Sequence, residues 1–166
     1  MKLKEAKTKF IQTWGALGSQ WGINKTMAQI HALLMVSDKP LSMEDIMEEL
    51  QISRGNASMN IRALIDWGIV FKEFKPGERK EFFTAEKDID ELARKIAVER
   101  SKREIKPAIR VLKEVIEIDE EHEEAKNFKK QTRALYNFIN RADELIDKIT
   151  AQKENWITKT ILKLMK

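Results

Sequence analysis

The chain of 166 residues contains no cysteine, only three prolines and only six glycines. Without cysteine there is neither a disulfide framework nor thiolate chemistry, which fits a reducing compartment. The scarcity of proline and glycine favours long helices, because these residues are the main interrupters of helical structure. The sequence also has no run of about 18 apolar residues to span a membrane, and its charged N-terminus lacks the apolar centre of a signal peptide. We therefore expect a helical cytoplasmic protein.

Charge is abundant but balanced. The net charge is +4, from 31 basic and 27 acidic side chains. Residues 1–87 carry 13 basic and 11 acidic groups, and residues 88–166 carry 18 and 16. Because each part has only a small positive excess, bulk charge is weak evidence for a nucleic-acid partner, and the placement of individual cations must decide.

Residues 53–68 form the most informative segment of the chain. Ser53 is suited to cap a helix, and Gly68 is suited to end it in a left-handed turn. One face follows helical spacing toward a core: Ala57, Ile61, Leu64 and Ile65. The other face has cations and hydrogen-bonding groups, with no acid before Asp66: Arg54, Gly55, Asn56, Ser58, Met59 and Arg62. These are side chains that meet phosphates and base edges, although any amphipathic surface helix has a polar face.

Two further helices are predicted in the segments before this helix. A helix is predicted over residues 25–36, with Asn24 as its cap. A turn over residues 37–41 leads to a further helix that Ser42 opens, with Asp45 placed as in a capping box. Since only a short turn then precedes the informative helix, the two form a helix-turn-helix.

A β-hairpin is predicted directly after Gly68. Residues 69–74 are rich in β-branched and aromatic side chains, Pro76-Gly77 is a turn signal, and residues 80–83 form the return strand. A hairpin in this position is a wing. Its tip has three cations: Lys75, Arg79 and Lys80.

These positions give each candidate side chain a role toward DNA. The N-terminal part of a recognition helix reaches base edges, so four residues are expected nearest the bases: Gly55, Asn56, Ser58 and Met59. Asn56 is expected to read adenine through a bidentate pair. Phosphate contacts are assigned to Ser53, Arg54 and Arg62 on the helix and to Lys75, Arg79 and Lys80 on the wing. For Arg79, an ion pair with Glu78 or Glu81 is the alternative.

The N-terminal segment, residues 5–21, has helical spacing that Gly15, Gly18 and Gly22 interrupt. Each glycine inside a helix costs roughly 1 kcal/mol relative to alanine, so three of them need a reason. Close approach of another helix and a break or kink near Gly18 explain them equally well.

From Asp88 onward every segment has a helical pattern. Lys106-Pro107 should kink or break the chain of helices. Acidic residues between 120 and 124 suit the start of a last helix, about residues 123–165. Apolar residues recur every seven positions in this helix, which predicts packing along another helix: Phe128, Leu135, Ala142, Ile149 and Trp156. The length of the helix favours burial of this face by a second subunit. We expect residues 1–87 to form the DNA-binding domain and residues 88–166 a helical dimerisation region.

An enzymatic function finds little support. His31 lies in an apolar helix and suits a core position. His122-Glu123 resembles the start of a zinc-protease motif, but Lys126 occupies the position of the second ligand. No cofactor or metal is therefore expected. Five aromatic residues could either line an effector cavity or pack in the core and dimer interface: Trp14, Trp21, Trp67, Tyr136 and Trp156.

Four segments together resemble the GbsR branch of the MarR-type winged-helix transcriptional regulators: residues 22–34, 53–62, 67–70 and 75–83. The resemblance covers about residues 10–110, and its most specific part is the run Gly-Asn-Ala-Ser-Met-Asn at 55–60. Arg103-Glu-Ile-Lys-Pro107 resembles the same branch. The resemblance implies a homodimer whose two recognition helices meet successive major grooves of a pseudo-palindromic operator. It does not identify an effector.

The expected fold is mainly α with a small β-hairpin wing: a winged helix-turn-helix with a long helical dimerisation arm. The expected function is that of a homodimeric transcriptional regulator that binds double-stranded DNA and responds to an effector where one exists. It is a repressor or an activator, and repression is favoured. The alternative is a winged-helix protein–protein interaction module that does not read DNA.

Overall fold

A computed structural model describes residues 1–151 and confirms a mainly helical chain with one small sheet. The elements in chain order are α1 (Leu3–Gln20), α2 (Lys25–Val36), β1 (Leu41–Ser42), α3 (Met43–Leu50), α4 (Arg54–Asp66), β2 (Val70–Phe74), β3 (Glu81–Ala85), α5 (Ile89–Arg100), a π-helical turn (Ser101–Ile105), α6 (Lys106–Ile116) and α7 (Glu123–Thr150). They divide into two compact units, Met1–Leu92 and the residues from Ala93 on. Within the described part, no helix is both long and apolar enough to cross a membrane.

Local side-chain caps begin helices α2 and α3, as predicted. The Asn24 side chain accepts a hydrogen bond from the backbone N–H of Met27 at 3.1 Å and so caps α2. At the start of α3, the Ser42 hydroxyl accepts from the Asp45 N–H at 3.2 Å, while the Asp45 carboxylate accepts from the Ser42 N–H at 2.8 Å. This reciprocal capping box satisfies two backbone donors that a helix start leaves without partners.

The predicted turn over residues 37–41 is wrong at its end, because Leu41 belongs to strand β1. Leu41 pairs with Phe83 and Ser42 with Phe82, both antiparallel, so the sheet has the order β1-β3-β2. A strand of two residues has no alternation of its own to detect. It forms because β3, far along the chain, offers it backbone partners.

The core of the first unit joins α2, α3, α4 and the sheet. Its largest side chains are almost wholly excluded from solvent: Ile30, Leu34, Ile46, Leu64, Val70 and Phe83. Lys87, just after β3, closes one side of this core. Its ammonium donates to the carbonyls of Leu34, Met35 and Ser37 at 2.7, 2.7 and 3.0 Å, and so satisfies acceptors that the end of α2 leaves open.

Helix α1 runs unbroken through Gly15 and Gly18 to Gln20, so the alternative of a break near Gly18 is wrong. A Cβ built on Gly18 would lie 2.6 Å from the Cβ of Ala28 on α2. Gly18 is therefore required by the close approach of two helices. Gly22 follows in the left-handed turn between them, with φ of 76°.

The second unit contains an antiparallel helical hairpin of α6 and α7. The predicted break at Lys106-Pro107 is wrong, because a π-helical turn over Ser101–Ile105 joins α5 directly to α6 and Ile105 and Lys106 keep right-handed helical backbone angles. The buried Ser101 hydroxyl donates to the buried Asp143 carboxylate of α7, and the Lys106 ammonium lies 3.4 Å from the Asp147 carboxylate. These bonds fasten the π-helical turn to the C-terminal part of the described α7.

Helix α7 begins at Glu123, with His122 as its cap, as the acidic segment predicted. One of its faces packs on α6 and includes buried Ala125 and half-buried Ile139 and Ile146. Four large apolar side chains point elsewhere and are 44–67% exposed: Phe128, Leu135, Phe138 and Leu145. The part of the predicted helix after residue 151, with Trp156, lies outside the described residues.

Candidate nucleic-acid interface

Helix α4 is fixed from both ends and along one face. The Ser53 hydroxyl accepts from the Asn56 N–H at 3.3 Å, and Gly68 follows the helix with φ of 70°, as predicted. The predicted core face is buried at Ala57, Ile61 and Leu64, and Ile65 is half-buried. Since the core holds this face, the opposite face is presented outward.

The predicted DNA-binding residues of α4 lie on or beside this outward face. Five are exposed: Ser53, Arg54, Gly55, Met59 and Arg62. Asn56 and Ser58 are half-buried. Met59 is 62% exposed, although a large apolar side chain gains nothing from contact with water. An exposed Met beside arginines and a glycine suits a surface that another molecule covers.

Gly55 has no role in packing. A Cβ built on this residue would have no neighbouring atom within 4 Å. Glycine in a helix is less favourable than alanine by about 1 kcal/mol, so the fold alone would favour a larger residue here. This is consistent with close approach of a partner's surface at this point.

Arg54 already has an anionic partner within the chain. Its guanidinium lies 2.5 Å from a carboxylate oxygen of Glu44, at the start of α3. The side chains of Arg54 and Glu44 are 64% and 48% exposed. The hydrogen bond from Arg54 lowers the pKa of the Glu44 carboxyl, and Coulombic attraction to Arg54 and Lys80 lowers it further. To contact a phosphate, Arg54 has to exchange this partner.

The three cations of the wing have different contacts within the chain. The Lys75 ammonium lies 3.8 Å from the centre of the Phe82 ring, a cation–π contact. Glu81 pairs with Lys72 at 2.7 Å rather than with Arg79. Within residues 1–151 Arg79 makes no ion pair, with Glu78 or any other residue, and it is exposed. Lys80 is exposed and lies close enough to Glu44 and Asp45 to lower the pKa of both carboxyls.

Sequence reasoning missed three residues of this region. Glu44 was assigned no role from the sequence, yet it engages Arg54. Asn60 stands at a core-facing position, 3% exposed, and binds Asn56. Phe74, on the wing, is 75% exposed. Only Asn60 had a detectable signal, since an amide among the apolar positions of α4 requires a hydrogen-bonding partner.

The aromatic candidates for a ligand site are dispersed. Trp14 is half-buried and lies 5.6 Å from Phe10 between ring centres, Trp21 is 54% exposed, and Trp67 is half-buried at the end of α4. Tyr136 belongs to the second unit, where it lines a cavity of about 370 Å³ with Lys113 and other residues of α6 and α7. The effector site of Trp14, Trp21, Trp67 and Tyr136 stays a prediction.

Comparisons with known proteins match this geometry. Residues 21–81 match the model of the MarR family. The chain is 28% identical over 86 residues to the HTH-type transcriptional repressor GbsR of Bacillus subtilis (strain 168), covering 52% of this chain and 47% of that protein. It is 23% identical over 86 residues to YvaV of the same organism, also named as an HTH-type regulator, covering 52% and 49%. The chain thus spans about half the length of the curated relatives it matches.

The fold has a counterpart among solved structures. A crystal structure described as that of a transcriptional regulator superposes with a TM-score of 0.68 at 16% identity, covering 88% of this chain and 96% of the other. This likeness supports the winged-helix architecture. The helix-turn-helix and wing of this chain, residues 21–81, are thus similar to the MarR family model in sequence.

Proposed function

We propose that this chain is a homodimeric, sequence-specific DNA-binding transcriptional regulator, a repressor that acts in the cytoplasm. In this proposal residues 1–87 bind DNA and residues 88–166 form the dimer. The observation that carries it is the outward face of α4, which has two arginines, hydrogen-bonding groups and an unpacked glycine, and no acid from Ser53 to Ile65. The name of GbsR as a repressor supports the direction of control.

The proposed complex places α4 in the major groove. Its first turns then face base edges with Gly55, Asn56, Ser58 and Met59, and Met59 offers an apolar contact to a thymine methyl group. Ser53, Arg54 and Arg62 would lie against phosphates. On the wing, Lys75, Arg79 and Lys80 would meet the backbone beside the same groove, with Arg79 as the leading contact because it has no partner in the described chain.

The proposed dimer uses the exposed stripe of α7. Phe128, Leu135, Phe138 and Leu145 recur at a and d positions of a heptad and are 44–67% exposed. A row of large apolar residues is unfavourable in water, and a second copy of the same helix would cover it. Two recognition helices would then be held at a fixed spacing, which suits a pseudo-palindromic operator.

An effector, where one binds, would act on this spacing. It would have to bind more tightly to one of two dimer states, because a ligand with equal affinity for both shifts nothing. The aromatic residues Trp14, Trp21, Trp67 and Tyr136 are the candidates for that site. Neither a metal nor a cofactor is part of the proposal.

The test is a salt-dependent mobility shift with the DNA upstream of the protein's own gene, against an unrelated duplex of equal length. We expect the affinity to fall steeply with salt, because phosphate contacts release counterions from the DNA. We also expect tighter binding to the upstream DNA, because contacts to its bases add to the affinity. No binding at low salt would overturn the proposal and favour the alternative, a protein–protein interaction module. Equal affinity for both duplexes would contradict sequence specificity.

A further inference from the structure

Two asparagines one helical turn apart on α4 are joined by their amides. The Asn60 Nδ2 donates to the backbone carbonyl of Asn56 at 2.8 Å and to the Asn56 Oδ1 at 2.7 Å. Asn60 is only 3% exposed, whereas Asn56 is half-buried and is the third residue of the helix. Thus the buried Asn60 side chain holds the more exposed Asn56 side chain, which lies near the N-terminus of α4.

The chemistry of these contacts assigns both amides. A backbone carbonyl can only accept, so the Asn60 atom beside it must be the amide nitrogen. That same nitrogen contacts the Asn56 side chain and needs an acceptor there, which must be Oδ1. The backbone carbonyl of Asn56 therefore determines which side-chain atom of each amide is oxygen and which is nitrogen. The orientation of the Asn56 amide does not depend on a choice between its two flipped forms.

This arrangement decides what Asn56 can offer to a partner. Its Oδ1 is turned toward buried Asn60, so its Nδ2 lies on the other side of the amide. Within residues 1–151 that nitrogen makes no hydrogen bond. It presents two N–H groups at the part of a recognition helix that meets base edges.

We infer that Asn60 is a positioning residue that makes Asn56 a donor toward the major groove, so that Asn56 selects guanine. Guanine offers two acceptors there, O6 and N7, whereas cytosine offers a donor and is rejected. A bidentate pair with adenine would need the Asn56 oxygen and nitrogen both directed at the base edge, and Asn60 turns that oxygen toward the protein interior. This inference rests on the proposed DNA-reading function and replaces the adenine pairing expected from the sequence alone.

The experiment is selection of duplexes from a randomised pool by the full-length protein and by two variants. The wild-type protein should enrich guanine at one position of each half-site. Asn56→Asp keeps an acceptor for Asn60 but removes the outward donor, so the preference at that position should change from guanine to cytosine. Asn60→Ala releases the Asn56 amide, and the same position should lose its discrimination by about fivefold or more while other positions keep theirs.

The outcomes separate this inference from the proposed function. No enriched sequence for the wild-type protein would overturn both. An enriched site in which Asn56→Asp changes no base preference, or in which it removes a preference for adenine, would overturn the inference and leave the function standing. Because Asn60→Ala empties a buried position, its folding is checked by circular dichroism. Should it fail to fold, the guanine-to-cytosine change in Asn56→Asp decides the outcome alone.

Discussion

Glu44, at the start of α3, holds Arg54, at the start of α4, through an ion pair of 2.5 Å. The pair joins the two helices of the helix-turn-helix on their exposed side. It gives Arg54 a defined direction, but it also supplies an anion that competes with a DNA phosphate. In the proposed function, the pair therefore lowers DNA affinity.

Glu44→Gln should raise affinity for DNA of any sequence by about two- to fivefold at low salt, because exposed ion pairs are weak and Arg54 is then free for a phosphate. The measurement is fluorescence anisotropy with a labelled duplex across a salt series. Glu48→Gln removes an equal charge from α3 and serves as the control. An equal gain in both variants would mean that general charge, and not release of Arg54, is responsible.

Arg79→Ala should weaken binding to all duplexes by roughly three- to tenfold and reduce the slope of log affinity against log salt by about one, as expected for loss of one phosphate contact. The same anisotropy series measures both quantities. Lys130→Ala, an exposed cation of α7, is the matched control. Unchanged affinity and slope for Arg79→Ala across the salt titration would remove Arg79 from the interface.

Two glycine substitutions should have opposite effects. Gly18→Ala should lower the free energy of unfolding by about 1–3 kcal/mol, because its Cβ would overlap that of Ala28.

Gly55→Ala should leave stability unchanged or raise it by up to about 1 kcal/mol, yet weaken DNA binding about tenfold or more by holding α4 away from the groove. Urea unfolding and anisotropy measure the two effects. Full DNA affinity in Gly55→Ala would contradict close approach at this residue.

His31 should make the fold sensitive to acid. Burial lowers the pKa of His31 from 6.5 to about 4, with a smaller contribution from Lys87. The unfolded chain therefore takes up a proton before the folded one, so stability is full above about pH 6.5 and falls as the pH drops toward 4. The difference in unfolding free energy between pH 7 and pH 5 from this group is about 2 kcal/mol.

The corresponding measurement is urea unfolding of the wild-type protein and of His31→Leu at both pH values. The variant lacks the titrating group, so it should lose about 2 kcal/mol less than the wild type between pH 7 and pH 5. Parallel losses in the two proteins would show that other groups control the acid response.

Phe138→Asp should convert the proposed dimer to a monomer of 19.4 kDa, because it places a charge in the exposed stripe of α7. Operator affinity should fall by on the order of a hundredfold as two linked half-sites become one. Light scattering after size exclusion gives the mass. Asn137→Asp adds the same charge one residue away, outside the stripe, and should stay dimeric. A wild-type protein that is itself monomeric at micromolar concentration would contradict the proposed dimer.

The features that could be predicted from the sequence are local ones. Caps at Asn24, Ser42 and Ser53 depend on residues within one helical turn, so the starts of α2, α3 and α4 follow from the sequence. The wing was predicted because its turn and strands lie next to each other. Strand β1 was missed since it depends on a partner far along the chain.

Side-chain partners within the site were less predictable than its location. The polar face of α4 is readable from spacing, and the structure places most of its residues outward. Spacing alone does not show that Glu44 reaches Arg54 across the turn or that Asn60 holds the Asn56 amide. The heptad of α7 likewise predicted packing without showing which positions α6 covers, and the structure leaves Phe138 and Leu145 exposed.

The most direct test of the proposed function is selection of duplexes from a randomised pool by the wild-type protein at physiological salt. It should enrich an inverted repeat whose half-sites are centred about 10 base pairs apart or a multiple of this, as two recognition helices of one dimer require. A pool that shows no enriched sequence, or only a single unpaired half-site, would contradict a dimeric regulator that reads DNA.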